Sequence, residues 1–437
     1  MIRFLALLLV APPLQAGTTL VTGARVFDGT GKPAKVRDVL IRNDRIVAVA
    51  RAMKAPSGTV VIDARGLTLL PGLHDLHIHL SGGAASTPAS LERGYAPYLA
   101  AGVTTVINFA VGPVDVPVLK TLGPEVHLPN MLLALRLGVP DGHGTENART
   151  RAITTLVTTP AEVRAAMPVL LAAQPDLFKV FADGWRYGDP ARPDKPGMDL
   201  PTLLAIVDEA HRAKRKVVTH TVSLAGLRLA IDAGVDAVVH GTGDAIIDDA
   251  TIRRMKARRT GYVATMVVYE PQQARELTAR DLAMLRPAER LRENNRSLVP
   301  PPIADWDARR WAILQDNLRR LHHAGVRIGI GTDAGITGVY HGWATLREIE
   351  LFTKFGFTPR AALAAATSGS ATIMGRRDAG RIAVGQRADI LLVGGRPDED
   401  IADLYDTRRV FVGGKEIALD AERKMRAEDA RDEDGGE

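Results

Sequence analysis

His77 and His79 stand two residues apart in LHDLHIHLSGG, so on a strand both imidazoles fall on one face and can converge on one ion. A His-x-His pair alone also describes packed or surface histidines. Four further residues change the balance. Lys179 lies inside the apolar run LFKVFA, where an ammonium bears a heavy desolvation cost unless it is neutralised, paired or covalently modified. His220 ends KVVTH, His240 ends AVVH, and Asp333 follows IGIGT ahead of Ala334 and Gly335. Neutral imidazoles and carboxylates are the ligands expected for Zn2+ or a similar divalent ion. Polar residues closing one buried run after another point to metal chemistry at a ring of strand ends.

The elements that must position these residues are readable from the text around them. Positions 18 to about 70 read as short strands punctuated by Gly29, Gly31, Asn43-Asp44 and Gly58. From about 71 to 376 strand-like runs alternate with amphipathic or Ala-rich segments: VTTVINFA, DLFKVFA, KVVTHTV, DAVVHG, GYVATMVVY, VRIGIGTDAG. Repeated β-α units over this length predict an α/β fold, a (β/α)8 TIM barrel whose C-terminal strand ends carry the active site. GRIAVGQRADILLVGGRP and RRVFVGGKEIAL return to strand-turn-strand text, so N- and C-terminal strands are expected to pair into a small β-sandwich beside the barrel. The expected divisions are 1–16, 17–70, 71–376, 377–420, and a charged tail at 421–437 to which no function is assigned.

Composition narrows the function classes. The 437 residues carry a formal charge of +6, from 56 Lys plus Arg against 50 Asp plus Glu, without the concentrated basic surface of a nucleic-acid binder. The densest basic run, Arg253 to Arg259, reads as a solvated outer helix. MIRFLALLLVAPPLQAG has the layout of a secretory signal: Arg3, an apolar run, a Pro12-Pro13 break and a small residue at Ala16. The expected product is exported, periplasmic or secreted, and starts near Gly17. The apolar run falls short of the roughly 20 residues that cross a bilayer, so no stable membrane insertion is expected. With no cysteine, thiolate ligands, disulfides and lipoprotein anchoring drop out. A small-molecule substrate is the expected partner, and a homo-oligomer stays open.

PGLHDLHIHL, the Lys of FKVFADG, the His of VVTHTV, the His of VDAVVHG and the Asp of GTDAG together resemble the metal motif of the amidohydrolase superfamily, in its prolidase-like and imidazolonepropionase-like branch. GQRADILLV is similar to the returning sandwich strand of such proteins. The resemblance implies that His77, His79, Lys179, His220, His240 and Asp333 are ligands from strands 1, 4, 5, 6 and 8. Segments 104–109, 131–137 and 262–268 would then be strands 2, 3 and 7. It further implies two divalent ions, expected to be Zn2+, and a carbamate formed on Lys179 from carbon dioxide. A metal-bridging hydroxide would attack, with Asp333 as general base. The implied reaction is hydrolysis of an amide C–N bond in a dipeptide or N-acyl amino acid. Cyclic amide or amidine hydrolysis, lactone or organophosphate ester hydrolysis, and a non-catalytic scaffold remain as alternatives.

Around these residues, His143 in GVPDGHGTEN is a candidate catalytic electrophile. Arg136, Tyr262, Tyr269, Arg186 and His341 are candidate substrate contacts, and Asp183 and Trp185 candidate pocket formers. His74 falls on the opposite strand face from His77 and is expected to pack or support. His127, His211, His322 and His323 read as structural. The segment from about 270 to 307, with Pro300, Pro301 and Pro302, reads as a lid or pocket wall.

Overall fold

The computed structural model describes residues 17–82, 85–123, 125–184, 195–272, 275–298 and 304–420, with no account of the side chains of 296–298. The expected leader and tail, Trp185, Arg186 and the three prolines lie outside the described residues.

Nine parallel strands build one sheet: β6 (Leu73–Ile78), β7 (Val103–Asn108), β8 (Asn130–Gly138), β9 (Thr154–Leu156), β10 (Leu177–Phe181), β11 (Lys216–His220), β12 (Ala237–Val239), β13 (Gly261–Val263) and β14 (Ile328–Gly329). Eight of them run in the order β6-β7-β8-β10-β11-β12-β13-β14, with the short β9 added to β8. Closure between the ends is made by Leu76 N–H donating to Ile330 O at 2.8 Å and His79 N–H donating to Ala334 O at 2.7 Å. The fold is therefore a (β/α)8 barrel.

Strand alternation fills its interior with Leu76, Ile107, Ala134, Leu177, Val218, Ala237, Val239 and Val263. Ile373, from the helix Ser370–Met374, packs into the same cluster. Gly261 makes room for it, since a Cβ there would sit 2.9 Å from Ile373 Cγ1. Outer helices begin where the sequence caps them. Thr87, Thr159 and Thr358 each precede a proline and each accept a backbone N–H of the first turn, a start that pairs an N-cap hydroxyl with proline's fixed φ.

Strands β1 (Thr18–Val26), β2 (Lys35–Arg42), β3 (Arg45–Ala50), β4 (Val60–Asp63) and β5 (Leu67–Pro71) join β15 (Ile390–Gly394), β16 (Thr407–Val412) and β17 (Lys415–Ile417) in a second, separate sheet. Strand β1 is shared: Thr19–Thr22 pair with β4, Arg25–Val26 with β5, and a bulge between Val21 and Ala24 changes its course. Val21, Val39, Ile41, Ile46, Leu69, Ile390, Leu392 and Phe411 form its own core. The two ends of the chain meet here, as β5 pairs antiparallel with β15. No described helix is long and apolar enough to cross a membrane.

Strand 7 is shorter than the apolar text of 262–268 suggests. It stops at Val263, and Met266–Tyr269 is a helical turn entered through Thr265 at φ 46°. Likewise 270–307 is not one open loop, because it contains the helices Ala279–Met284 and Pro287–Leu298.

Candidate metal centre

Strand β6 delivers His77, and His79 follows one residue past its end. Asp333 reaches them from the turn after β14, and the ligand atoms of His77, His79 and Asp333 lie within 4.8 Å of one another. Asp333 Oδ1 is 3.1 Å from His77 Nε2 and 2.9 Å from His79 Nε2, and the two Nε2 atoms are 3.0 Å apart. Three mutually facing atoms of this chemistry could hold a cation.

His240 and His220 extend the cluster around the mouth. The ring centroids of His77 and His240 are 4.7 Å apart, those of His220 and His240 4.5 Å, and those of His143 and His220 4.3 Å. Thr265 Oγ1 lies 3.1 Å from His240 Nδ1 and orients that ring. Lys179 enters from β10, 2% exposed, with Nζ 4.8 Å from the Phe109 ring centroid and 5.8 Å from that of Phe181. Among the described residues its Nζ has no hydrogen-bond partner. All six residues expected at the strand ends therefore converge on one mouth.

The backbone is bent to achieve this. His240 and Asp333 take φ of 75° and 63°, a left-handed region that such residues occupy only where the surroundings impose it. Asp333 N–H donates to His77 O at 2.8 Å, fixing the turn against β6. Gly335, at φ +104°, follows because a Cβ there would collide with His79 O. The GTDAG text thus encodes a chain passing directly over the first ligand strand.

Electrostatics follow from burial. His220 and His240 are held well below the usual imidazole value, and His77 falls to about 3, chiefly through desolvation, so all three offer neutral lone pairs. Burial would raise the Asp333 carboxyl, but His77 and His240 beside it hold it well below the usual carboxylate range, and it stays ionised. Burial holds Lys179 well below the usual amine value against the pull of Asp333, and Arg136 pushes it the same way as burial.

The surrounding candidates separate. His143 Nδ1 lies 2.6 Å from Glu146 Oε1, at the rim of the cluster. Burial would raise the Glu146 carboxyl, yet the His143 hydrogen bond holds it at about 2. Arg136 is 4% exposed, donates from Nη2 to Gly144 O at 2.7 Å, and is brought by burial to about 10. Tyr269, at the end of its helical turn, places its ring 6.3 Å from that of His240. Tyr262 does not reach the site. Alternation on β13 sends Val263 inward and Tyr262 outward, where its hydroxyl accepts Thr242 N–H at 3.3 Å. His341 Nδ1 is 2.7 Å from Tyr98 Oη, bound to the helix Pro88–Ala100. Asp183 accepts from Val222 N–H, Ser223 N–H and Ser223 Oγ, bracing the start of the helix Leu224–Ala233 beside a cavity of about 410 Å³. His74 is buried and kept neutral, at about 4, by desolvation. His322 stacks on Phe357, and His211 bonds Asp236 on the outside of the barrel.

Two positioning features escaped the sequence reading. Asp75 is fully buried between the ligand segments, accepting His77 N–H at 3.2 Å, Thr332 N–H at 3.1 Å, and the hydroxyls of Thr332 and Thr345 at 2.8 Å each. Its place two residues before His77 was the available signal. Glu348, on the helix Trp343–Lys354, accepts Met266 N–H at 2.8 Å and Val267 N–H at 2.7 Å, which holds the turn that carries Tyr269.

The model of the Amidohydrolase family matches residues 68–417. N-acyl-D-aspartate deacylase of Alcaligenes xylosoxydans xylosoxydans is 42% identical over 96 residues, 22% of this chain and 18% of that protein. A dihydroorotase of Geobacter metallireducens is 37% identical over 87 residues, 20% of each chain. The chain spans about a fifth of the length of these curated relatives. Among solved structures, a putative prolidase from Bifidobacterium longum superposes with TM-score 0.73 at 25% identity, covering 94% of this chain and 99% of that one. A Xaa-Pro dipeptidase with methionine bound in its active site gives TM-score 0.73 at 22% identity, covering 92% and 100%.

Proposed function

The chain belongs to the amidohydrolase family, and from that premise we propose that it hydrolyses the amide C–N bond of a dipeptide or N-acyl amino acid. The observation that carries this reading is Lys179, a buried amine with no hydrogen-bond partner among the described residues, set among apolar rings beside four histidines and an aspartate. Burial opposes the charge on this amine, and the neutral amine is the form that adds to carbon dioxide: the nitrogen lone pair bonds the carbon, one proton leaves, and an anionic carbamate results. The donor set fits two divalent ions, expected to be Zn2+. His77, His79 and Asp333 would hold one, His220 and His240 the other, with the carboxylated Lys179 shared between them.

Such ions, when bound, supply Lewis acidity and a water acidified from 15.7 to about 7. The chain's own residues do the rest. Asp333, ionised and facing the histidines, takes the proton of the attacking water and passes it to the leaving nitrogen. His143, oriented by Glu146, polarises the carbonyl being attacked. Phe109 and Phe181 keep water from Lys179. The deacylase and prolidase likenesses support a linear amide; ring amides are the second reading, favoured by the dihydroorotase likeness.

The test joins metal content to activity. Wild type should carry about two equivalents of metal and cleave members of a panel of dipeptides and N-acyl amino acids. Lys179→Ala should lose metal, and activity by more than about a hundredfold, since changes in groups that merely support ligands already cost roughly 10–100-fold. Acetate or propionate should restore part of both. One equivalent of metal, unchanged by the substitution, would overturn the shared-carbamate arrangement.

A further inference from the structure

Arg136 and Lys179 are register partners on the neighbouring parallel strands β8 and β10, so two basic side chains enter the barrel mouth at one level. Both are almost fully buried, at 4% and 2% exposed. A protonated lysine packed beside a buried guanidinium would be costly. Lysine has an escape, because its amine can give up a proton or be carboxylated. Arginine has none, because a guanidinium keeps its charge in proteins. Its charge must be met by an anion.

Glu146 and Asp333 favour its charge from a distance without pairing with it, and a carbamate on Lys179 would be taken by the ions. Arg136 forms no ion pair among the described residues, and the two carboxylates of its surroundings are committed elsewhere. Glu146 is taken by His143 and by Gly144 N–H, and Asp333 by His77 and His79. Arg136 makes one hydrogen bond, from Nη2 to Gly144 O, while its Nε is buried without a partner. The guanidinium is nevertheless held in one pose. Its carbon lies 5.4 Å from the Phe181 ring centroid, and Gly144, at φ +83°, lets the loop pass where any Cβ would collide with Nη2. A clamped, desolvated guanidinium beside the ligand histidines is preorganised to receive a planar oxyanion.

We infer that Arg136 is a specificity-determining residue that takes a carboxylate of the substrate, so that the enzyme acts on anionic N-acyl amino acids or dipeptides in preference to their neutral amides. This rests on the hydrolase reading for the bond that is cleaved, but the preference for charge can be measured without it.

The probes are N-acetylglycine and N-acetylglycinamide, which differ in that charge, bound calorimetrically to zinc-loaded protein. Wild type should bind the acid about thirtyfold or more tightly than the amide, the lower end of what truncating one partner of a buried charge pair costs. Arg136→Met should bring the two within about threefold by weakening the acid alone, and Arg136→Lys should fall between, with zinc content unchanged in both. Equal binding of acid and amide to wild type overturns the inference without need of a variant. Selectivity retained in Arg136→Met also overturns it, because the carboxylate would then be held by the metal. Loss of zinc in either variant assigns the guanidinium to the metal site and overturns it as well. Absence of any amide hydrolysis by wild type refutes the proposed reaction instead, and leaves the acid–amide comparison standing.

Discussion

Asp75 offers the sharpest test of how the ligand geometry is held. Its Oδ1 accepts His77 N–H and Thr332 N–H, and its Oδ2 accepts the hydroxyls of Thr332 and Thr345. Asp75→Ala removes both acceptor oxygens and all four hydrogen bonds at once. Thr332 N–H keeps a longer bond to His77 O at 3.3 Å, and Thr332 Oγ1 has the same carbonyl at 3.5 Å. Among the described residues, His77 N–H and the Thr345 hydroxyl keep no other side-chain partner. Two buried polar groups left unmade cost about 1–3 kcal/mol each, so roughly 2–6 kcal/mol of stability should go. Metal affinity should fall about 10–100-fold, because both ligand segments lose their common anchor. Asp75→Asn behaves differently. Its carbonyl keeps the two N–H bonds, its amide donates to the two hydroxyls, and burial already pushes the Asp75 carboxyl up to about 7, so loss of the charge costs little. Denaturant unfolding of metal-free protein, with zinc titration against a chromophoric chelator, measures both quantities. If Asp75→Ala and Asp75→Asn match within about 0.5 kcal/mol, the scatter expected of ordinary substitutions, the argument from stranded hydrogen bonds fails.

Replacing His77, His79, His220 or His240 by Ala should each lower bound metal and activity sharply, while His211→Ala and His322→Ala should leave both intact; metal analysis of the purified variants decides, and similar behaviour of the two groups would refute the assignment of the strand ends. Burial pushes the Glu348 carboxyl from its ordinary 4.5 up to about 8. The native state therefore holds this proton where the unfolded chain has released it, and stability from this group is full below about pH 4.5 and lost as pH rises through 8. Glu348→Gln should flatten that decline in a comparison of unfolding curves between pH 5 and 8; parallel pH profiles would show that Glu348 is ionised throughout.

The barrel was legible because its strands are short apolar runs alternating with amphipathic segments, and the expected site residues stand out as polar groups inside or at the ends of those runs. Strand 7 was not legible in the same way. GYVATMVVY is an apolar run that periodicity cannot divide, since a buried strand and a buried helical turn look alike over so few residues. What divides it is Glu348, about 80 residues later in the chain, which accepts Met266 N–H and Val267 N–H and so stabilises a helix start. The misplacement of Tyr262 followed from that reading: on a three-residue strand the inward position belongs to Val263, and the tyrosine near the histidines is Tyr269, beyond the turn.

The same distinction governs the charges. Lys179 in LFKVFA and Arg136 in LLALRLG stand out in sequence because every neighbour is apolar, so a buried cation can be inferred before its surroundings are known. Asp75 in LHDLHIH sits among other polar residues and gives no such contrast, though it is as deeply buried. The network that walls the region after strand 7 is harder still. Arg347 pairs with Glu270 at 2.5 Å and Arg280 with Glu350 at 2.6 Å, partners 77 and 70 residues apart, while Arg347 also meets Glu350 at 3.2 Å and Arg275 meets Glu270 at 3.1 Å. Read singly, each looks like a surface charge. A charge becomes legible in sequence when its neighbours along the chain cannot solvate or pair it, and it is such charges, Lys179 and Arg136 here, that are left with capacity for a ligand once the fold has paired the others.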